Sequence, residues 1–308
     1  MRIVHDLAQA PPPSPSPRGG WGGYVTIGVF DGIHRGHQQL ITRMVKAAHS
    51  TTGVAVALTF DPHPATVLGH EPLPLLTTVE ERAELLAALG LDVMVVLHFT
   101  STTAHTPATA FVEALIHHLR LTELWAGPDF TLGHRREGDI PFLRRLGAER
   151  GFTVRVVEPL VWEGTLVSSS RVRAALKTGD VPQATGCLGR PYRLAGVVAP
   201  PPPRGGWEGT NVSLPPERLI PTGGVYACLA HTEQLGTHPA VVSVGTRPIF
   251  GGHTPVVEAH LLDFDGDLCD QVLALDFIAR LRDEWAFPTP RQVADCRLRI
   301  ADWLGEAR

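Results

Sequence analysis

Two histidines, His34 and His37, stand where a short apolar run gives way to a helical pattern, in TIGVFDGIHRGHQQL (Thr26–Leu40). Imidazoles at such a junction can hold a metal, contact a phosphate or simply pack. A zinc pair needs a third ligand, and none is obvious nearby. A helix N-terminus offers free N–H groups and a partial positive charge, so two imidazoles beside it suit a polyphosphate. Gly28, Gly32 and Gly36 allow close approach of backbone to ligand. The full string G-x-F-D-G-x-H-x-G-H is far more specific than H-x-x-H alone. Asp31 inside it can cap the turn or orient a histidine.

Other residue types narrow the chemistry. Lysine occurs only at Lys46 and Lys177, and there is no G-x-x-x-x-G-K-[ST], so a P-loop is excluded. Phosphate chemistry must then rest on histidine, arginine, backbone N–H groups and a metal ion. Cys187, Cys228, Cys269 and Cys296 are scattered, without a C-x-x-C pair, which argues against structural zinc and a disulfide framework.

The elements that must position these residues follow from periodicity. Tyr24–Phe30, Val54–Phe60, Val93–Phe99, a run from Leu124, and Thr153–Leu160 read as buried strands. Between them lie helical patterns. Leu40, Ile41, Met44, Val45 and Ala48 form one apolar stripe. Thr78 with Glu81 reads as a capping box, and Gly90 ends that helix. Thr106-Pro107 opens ATAFVEALIHHL, with proline at the first helical position. This alternation predicts a parallel sheet with helices on both faces. In such a sheet, ligands bind beyond the carboxyl ends of the strands, where His34 and His37 would sit.

The pattern changes near residue 185, where a proline run follows CLGRPYRLAGVVA. Val225–Ala230, Ala240–Gly245, Val256–Phe264 and Val272–Phe277 are short strands with turn signals between them, such as Gly251-Gly252 and Asp265-Gly266, which predicts a small antiparallel barrel. A last helix, capped by Thr289-Pro290 with Gln292, carries Val293, Cys296, Ile300 and Leu304 on one face. The expected domains are 1–185 and 186–308. With 308 residues, 44% hydrophobic, 19% charged and a net charge of −4, the chain reads as a globular protein of two domains. That charge does not suggest a nucleic-acid binder, no apolar run is long enough for a membrane span, and the N-terminus lacks a secretory pattern. A cytoplasmic location is expected, and nothing sets an oligomeric state.

The string GVFDGIHRGHQQL resembles the signature of the HxGH nucleotidyltransferases. More narrowly, the chain resembles the bifunctional riboflavin kinase/FMN adenylyltransferases, the bacterial FAD synthetases. TFDPHP (Thr59–Pro64), AGPDFTLGHRREGD (Ala126–Asp139) and VSSSRVRAAL (Val167–Leu176) match in order. LGRPY (Leu188–Tyr192), GVYA (Gly224–Ala227), VGTRPIF (Val244–Phe250) and VEAHLLDFDGDL (Val257–Leu268) extend the match over almost the whole chain. The resemblance implies a Rossmann-like nucleotidyltransferase domain followed by a riboflavin-kinase-like barrel with a C-terminal helix. It implies FMN + ATP → FAD + pyrophosphate in the first domain and riboflavin + ATP → FMN + ADP in the second. The substrates are then ATP, FMN and riboflavin, with Mg2+.

By the same resemblance, His34 and His37 contact the ATP phosphates, with Gly28, Phe30, Asp31, Gly32 and Gly36 around the nucleotide. Ser168, Ser169, Arg171 and Arg173 fall in the family's phosphate-binding segment, Ser170 replacing its threonine, and Arg171 joins the catalytic set. Hydroxyls and guanidinium forks suit phosphate oxygens. Phe60, Pro62, His63 and Pro64, with Asp129 and Phe130, are assigned to the flavin, Asp129 positioning FMN or magnesium. In the second domain Glu258 falls at the catalytic base. The magnesium loop departs from the family: Asn211 keeps the family asparagine, Gly209 replaces its threonine, and Thr210 is displaced by one. Pro200–Pro203 replace flexible glycines, and proline offers no N–H to a phosphate. Ser243 stands where the family favours asparagine. Two versions follow: a kinase working through Thr210 and Asn211, or a flavin-binding barrel with little kinase activity. Rival readings are another HxGH transferase, which would lack the barrel, and a non-catalytic flavin-binding protein.

Overall fold

A computed structural model describes residues 1–10, 22–69, 73–199, 210–232, 236–249, 252–264, 266–283 and 290–306. The chain divides into two compact units, Met1–Val167 and Ser168–Arg308. The proline loop at 200–209, the turn residues Gly251 and Asp265, and the cap residue Thr289 lie outside the described residues.

The first unit is built on strands β1 (Arg2–Val4), β2 (Gly23–Ile27), β3 (Val54–Asp61), β4 (Val93–His98), β5 (Leu121–Ala126) and β6 (Thr153–Val156). They form one six-stranded sheet in the order β1-β4-β3-β2-β5-β6. Every pairing in it is parallel, as the β-α-β alternation predicts. A small hairpin, β7 (Val161–Trp162) with β8 (Thr165–Leu166), follows. The helices are α1 (Arg35–Ser50), α2 (Pro64–Val67), α3 (Val79–Ala88), α4 (Ser101–Ala104), α5 (Ala108–Leu119) and α6 (Ile140–Arg150).

Residues alternate across a strand, and that alternation gives the sheet two cores. Val25, Ile27, Val56 and Leu58 pack with Val112 and Leu115 of α5 and Leu143 of α6. Tyr24, Ala55, Ala57 and Met94 pack with Ile41, Met44 and Ala48 of α1 and Leu86 of α3. The capping box is present: Thr78 accepts from the Glu81 backbone, and Glu81 accepts from that of Thr78. From β2 the chain winds one way through β3 and β4, then crosses to β5 on the other side. That reversal puts the topological switch point at the carboxyl end of β2.

Three readings shift. The strand expected over Tyr24–Phe30 ends at Ile27, because Phe30 (φ 53°), Gly32 (φ 81°) and Ile33 (φ 39°) turn into the left-handed region. Thr153–Leu160 ends at Val156. Pro107 stands before, not at, the first helical residue of α5.

The second unit opens with α7 (Ser169–Thr178) and α8 (Val181–Leu188). Strands β9 (Tyr192–Val198), β10 (Thr210–Ser213), β11 (Gly224–Thr232), β12 (Gly236–Ile249), β13 (Gly252–Leu261) and β14 (Val272–Arg282) follow, then α9 (Pro290–Glu306). The six strands close into a barrel in the order β10-β13-β12-β11-β14-β9. Every pairing is antiparallel. The expected barrel is therefore present, with longer strands than periodicity indicated. Cys296 and Ile300 of α9 pack on Val225, Ala227 and Val241.

Candidate active sites

The loop from β2 to α1 is held from three directions. Gly28 donates its N–H to Leu58 O at 3.0 Å. The buried Asp31 carboxylate accepts from Leu76 N at 3.0 Å, Thr77 N at 2.9 Å and Thr77 Oγ1 at 3.1 Å. Gly32 N donates to Thr77 Oγ1 at 2.9 Å. The buried Arg82 guanidinium donates to Val29 O at 3.0 Å and Thr59 Oγ1 at 2.9 Å. Such bonds hold Phe30 and Ile33 in a backbone region that costs of order 1 kcal/mol each. Asp31 thus anchors the loop. Thr77 and Arg82 share that task; their sequence neighbourhood gives no sign of it.

This scaffold delivers the histidine pair. His34 is the N-cap of α1, and its Nδ1 accepts from His37 N at 3.3 Å. The neutral His34 ring therefore carries its proton on Nε2. The two imidazoles stack, with centroids 3.6 Å apart and planes 18° from parallel. Phe30 meets the His37 ring edge-on at 5.2 Å. Burial, and then the neighbouring His34, hold the His37 pKa well below the ordinary histidine value. His37 is neutral at pH 7 and acts as a hydrogen-bonding group rather than a cation. Its Nδ1 is buried without a hydrogen-bond partner, an atom for a ligand to satisfy. A Cβ on Gly36 would stand 3.2 Å from His34 Cε1 and Nδ1, which explains the glycine inside the motif.

Beside Gly28 opens a cavity of about 640 Å³. Phe60, Pro64, Asp129 and Phe130 line it with Gly28, as five of the residues named from sequence. Pro62 and His63 are not among its lining residues; His63 caps α2, accepting from Ala65 N at 3.1 Å. The volume and apolar walls suit a planar ring system. Sequence reading missed the walls supplied by Phe99, Phe111 and the His134–Arg136 turn. That turn is braced on α5: His134 N donates to Thr106 O at 2.9 Å, and Glu137 accepts from Ala108 N at 2.7 Å.

In the second unit, Ser168 is the N-cap of α7, and its Oγ accepts from Arg171 N at 3.2 Å. Ser169 and Ser170 form the first turn, and Arg173 is buried. On the barrel, the register sets Asn211 opposite Glu258. Glu258 in turn lies opposite Ser243. Glu258 is 4% exposed and Ser243 1% exposed. Asn211 Oδ1 is buried without a hydrogen-bond partner, beside a carboxylate on the next strand. Oxygen donors of this kind fit a magnesium ion, which takes one or two protein oxygens plus phosphates. Thr210 pairs with Ala259, so strand alternation turns it to the opposite face from Asn211.

A parallel nucleotidyltransferase-type sheet with a histidine pair at its switch point, followed by a closed antiparallel barrel, defines the class. Comparison with known proteins gives the family. The FAD synthetase family model matches residues 20–171 and the riboflavin kinase model residues 188–295. The bifunctional riboflavin kinase/FMN adenylyltransferase of Pseudomonas fluorescens is 35% identical over 85% of each chain. That of Escherichia coli (strain K12) is 32% identical over 99% of this chain and 97% of its own. A crystal structure described as a macrolide-efflux protein from Streptococcus pneumoniae superposes with a TM-score of 0.82 at 27% identity, covering 99% of this chain and 98% of that one. Among the described residues no helix is long and apolar enough to cross a membrane. The chain belongs to the bifunctional riboflavin kinase/FMN adenylyltransferase family.

Proposed function

We propose that the chain makes FAD from riboflavin in two ATP-dependent steps. The second domain phosphorylates riboflavin to FMN. The first joins FMN to AMP. The observation that carries the reading is the stacked His34–His37 pair at the start of α1, in the loop whose Gly28 lines a cavity of about 640 Å³.

In the adenylylation step, an FMN phosphate oxygen attacks the α-phosphorus of ATP. The bond to the bridging oxygen breaks and pyrophosphate leaves. Negative charge grows on that bridging oxygen. His34 Nε2–H and the neutral His37 ring are hydrogen-bonding groups fixed in place before the charge appears, which is how such a site lowers the barrier. The positive end of the α1 dipole adds to this. Ser168, Ser169, Ser170, Arg171 and Arg173 are phosphate-binding residues, their hydroxyls and guanidinium forks suited to phosphate oxygens. Phe60, Pro64, Asp129 and Phe130 hold the flavin ring.

In the kinase step, the terminal ribityl hydroxyl attacks the γ-phosphorus of ATP and ADP leaves. Glu258 takes the hydroxyl proton as general base. Asn211, with Glu258 beside it, would hold magnesium, which neutralises charge on the transferring phosphoryl group. A cytoplasmic enzyme using only small-molecule substrates fits this role.

One preparation tests both steps. With ATP and magnesium, one tube receives FMN and another riboflavin, and the flavins are separated by chromatography. FAD from both tubes supports the reading. FAD from the FMN tube alone removes the kinase half. No FAD from either removes the proposal.

A further inference from the structure

The barrel carries a third polar group in line with Asn211 and Glu258. Ser243 lies directly opposite Glu258 on β12, as Asn211 does on β10. Directly opposed residues of antiparallel strands share a face, so the three side chains form one row. Ser243 also lies opposite Val225, which packs against Cys296 and Ile300. The row therefore lies on the face that α9 partly covers. Ser243 is 1% exposed, and its Oγ is buried without a hydrogen-bond partner. A buried hydroxyl without a partner is disfavoured, so it calls for an explanation. Asn211 Oδ1, at the other end of the row, is in the same state.

The order of the row gives the kinase site a direction. Metal and phosphates belong on the Asn211 side, and the base stands in the middle. The group on the far side of the base must then meet the part of the substrate that trails behind the attacking hydroxyl. In a ribityl chain that part is a run of further hydroxyls. Neighbouring strands are about 4.8 Å apart, a span that a short polyol bridges from one hydroxyl to another further along. A serine hydroxyl both donates and accepts, which suits an alcohol partner.

We propose that Ser243 binds the ribityl chain of riboflavin, accepting from or donating to a hydroxyl behind the one that Glu258 deprotonates. The inference rests on the kinase reading above. It concerns binding shared by ground and transition states, so its loss shows in KM rather than kcat.

The test uses the full chain with riboflavin and ATP, summing FMN and FAD formed. Ser243→Ala and the near-isosteric Ser243→Cys are compared with wild type. Lumiflavin, the ring system without a ribityl chain, serves as competitive inhibitor. Both variants should raise the riboflavin KM about tenfold, with kcat within about twofold and the lumiflavin inhibition constant unchanged. A wild-type riboflavin KM in both variants overturns the proposal. Equal weakening of riboflavin and lumiflavin also overturns it, since packing around the ring would then be the cause. If wild type itself forms no FMN, the kinase reading fails first, and this assignment falls with it.

Discussion

The imidazole of His34 lies flat against that of His37, 3.6 Å between centroids, while its Nδ1 caps the helix that carries His37. One ring thus fixes the position of the other. Gly36 makes room for the stack, since a Cβ there would meet His34 at 3.2 Å. Gly36→Ala should shift the His34 ring by a few tenths of an ångström. The expected result is a loss of about tenfold in kcat for FAD formation, in line with the sensitivity of preorganised sites. Thermal unfolding should change little. Steady-state kinetics beside a melting curve separates the two effects.

The lowered pKa of His37 has a pH consequence. Its folded pKa lies well below the ordinary value of 6.5, because burial and His34 disfavour the charged form. The unfolded chain then binds the extra proton first. Stability is full above the unfolded pKa and is lost as pH falls from there toward the folded pKa, by at most about 1.4 kcal/mol per pH unit. Wild type should melt earlier as pH drops below about 6.5, and His37→Gln should show a flatter profile over that window. Parallel profiles for the two proteins would contradict this.

Asp31 ties the loop from β2 to α1 to residues far along the chain. Its carboxylate accepts from Leu76 N, Thr77 N and Thr77 Oγ1. Asp31→Ala leaves buried donors unpaired, at a cost of about 2–4 kcal/mol. Calorimetry should show a lower melting temperature, and FAD formation should fall because the loop that carries Phe30 and Ile33 loses its anchor. Unchanged melting would rule out the anchoring role.

The two activities should part cleanly at Glu258. Glu258→Gln keeps the shape of the buried side chain but removes the base. FMN formation from riboflavin should fall by about a hundredfold or more, while FMN adenylylation stays within about twofold of wild type. Loss of both activities would mean that the substitution acts through folding.

The sequence revealed what local pattern encodes. The period of apolar residues marked the parallel sheet, and Thr78 with Glu81 marked the start of α3. The spacing of His34, Gly36 and His37 marked the head of α1, where the two imidazoles stack. Local pattern could not show Arg2–Val4 as an edge strand, since three residues carry no period. Nor could it show that Asp31 is spent on Leu76 and Thr77, because a carboxylate does not reveal its long-range partners. The row Asn211–Glu258–Ser243 appears only once barrel register brings three separate strands together. The cavity wall at His134–Arg136 depends in the same way on a turn braced against α5.

The most direct measurement is FAD formation from FMN and ATP by wild type and His37→Ala, purified side by side. Wild type should form FAD and pyrophosphate in equal amounts. The variant should do so at least about tenfold more slowly, with its riboflavin phosphorylation unchanged. Wild-type turnover in His37→Ala would contradict the assignment of this histidine pair to the adenylyl transfer.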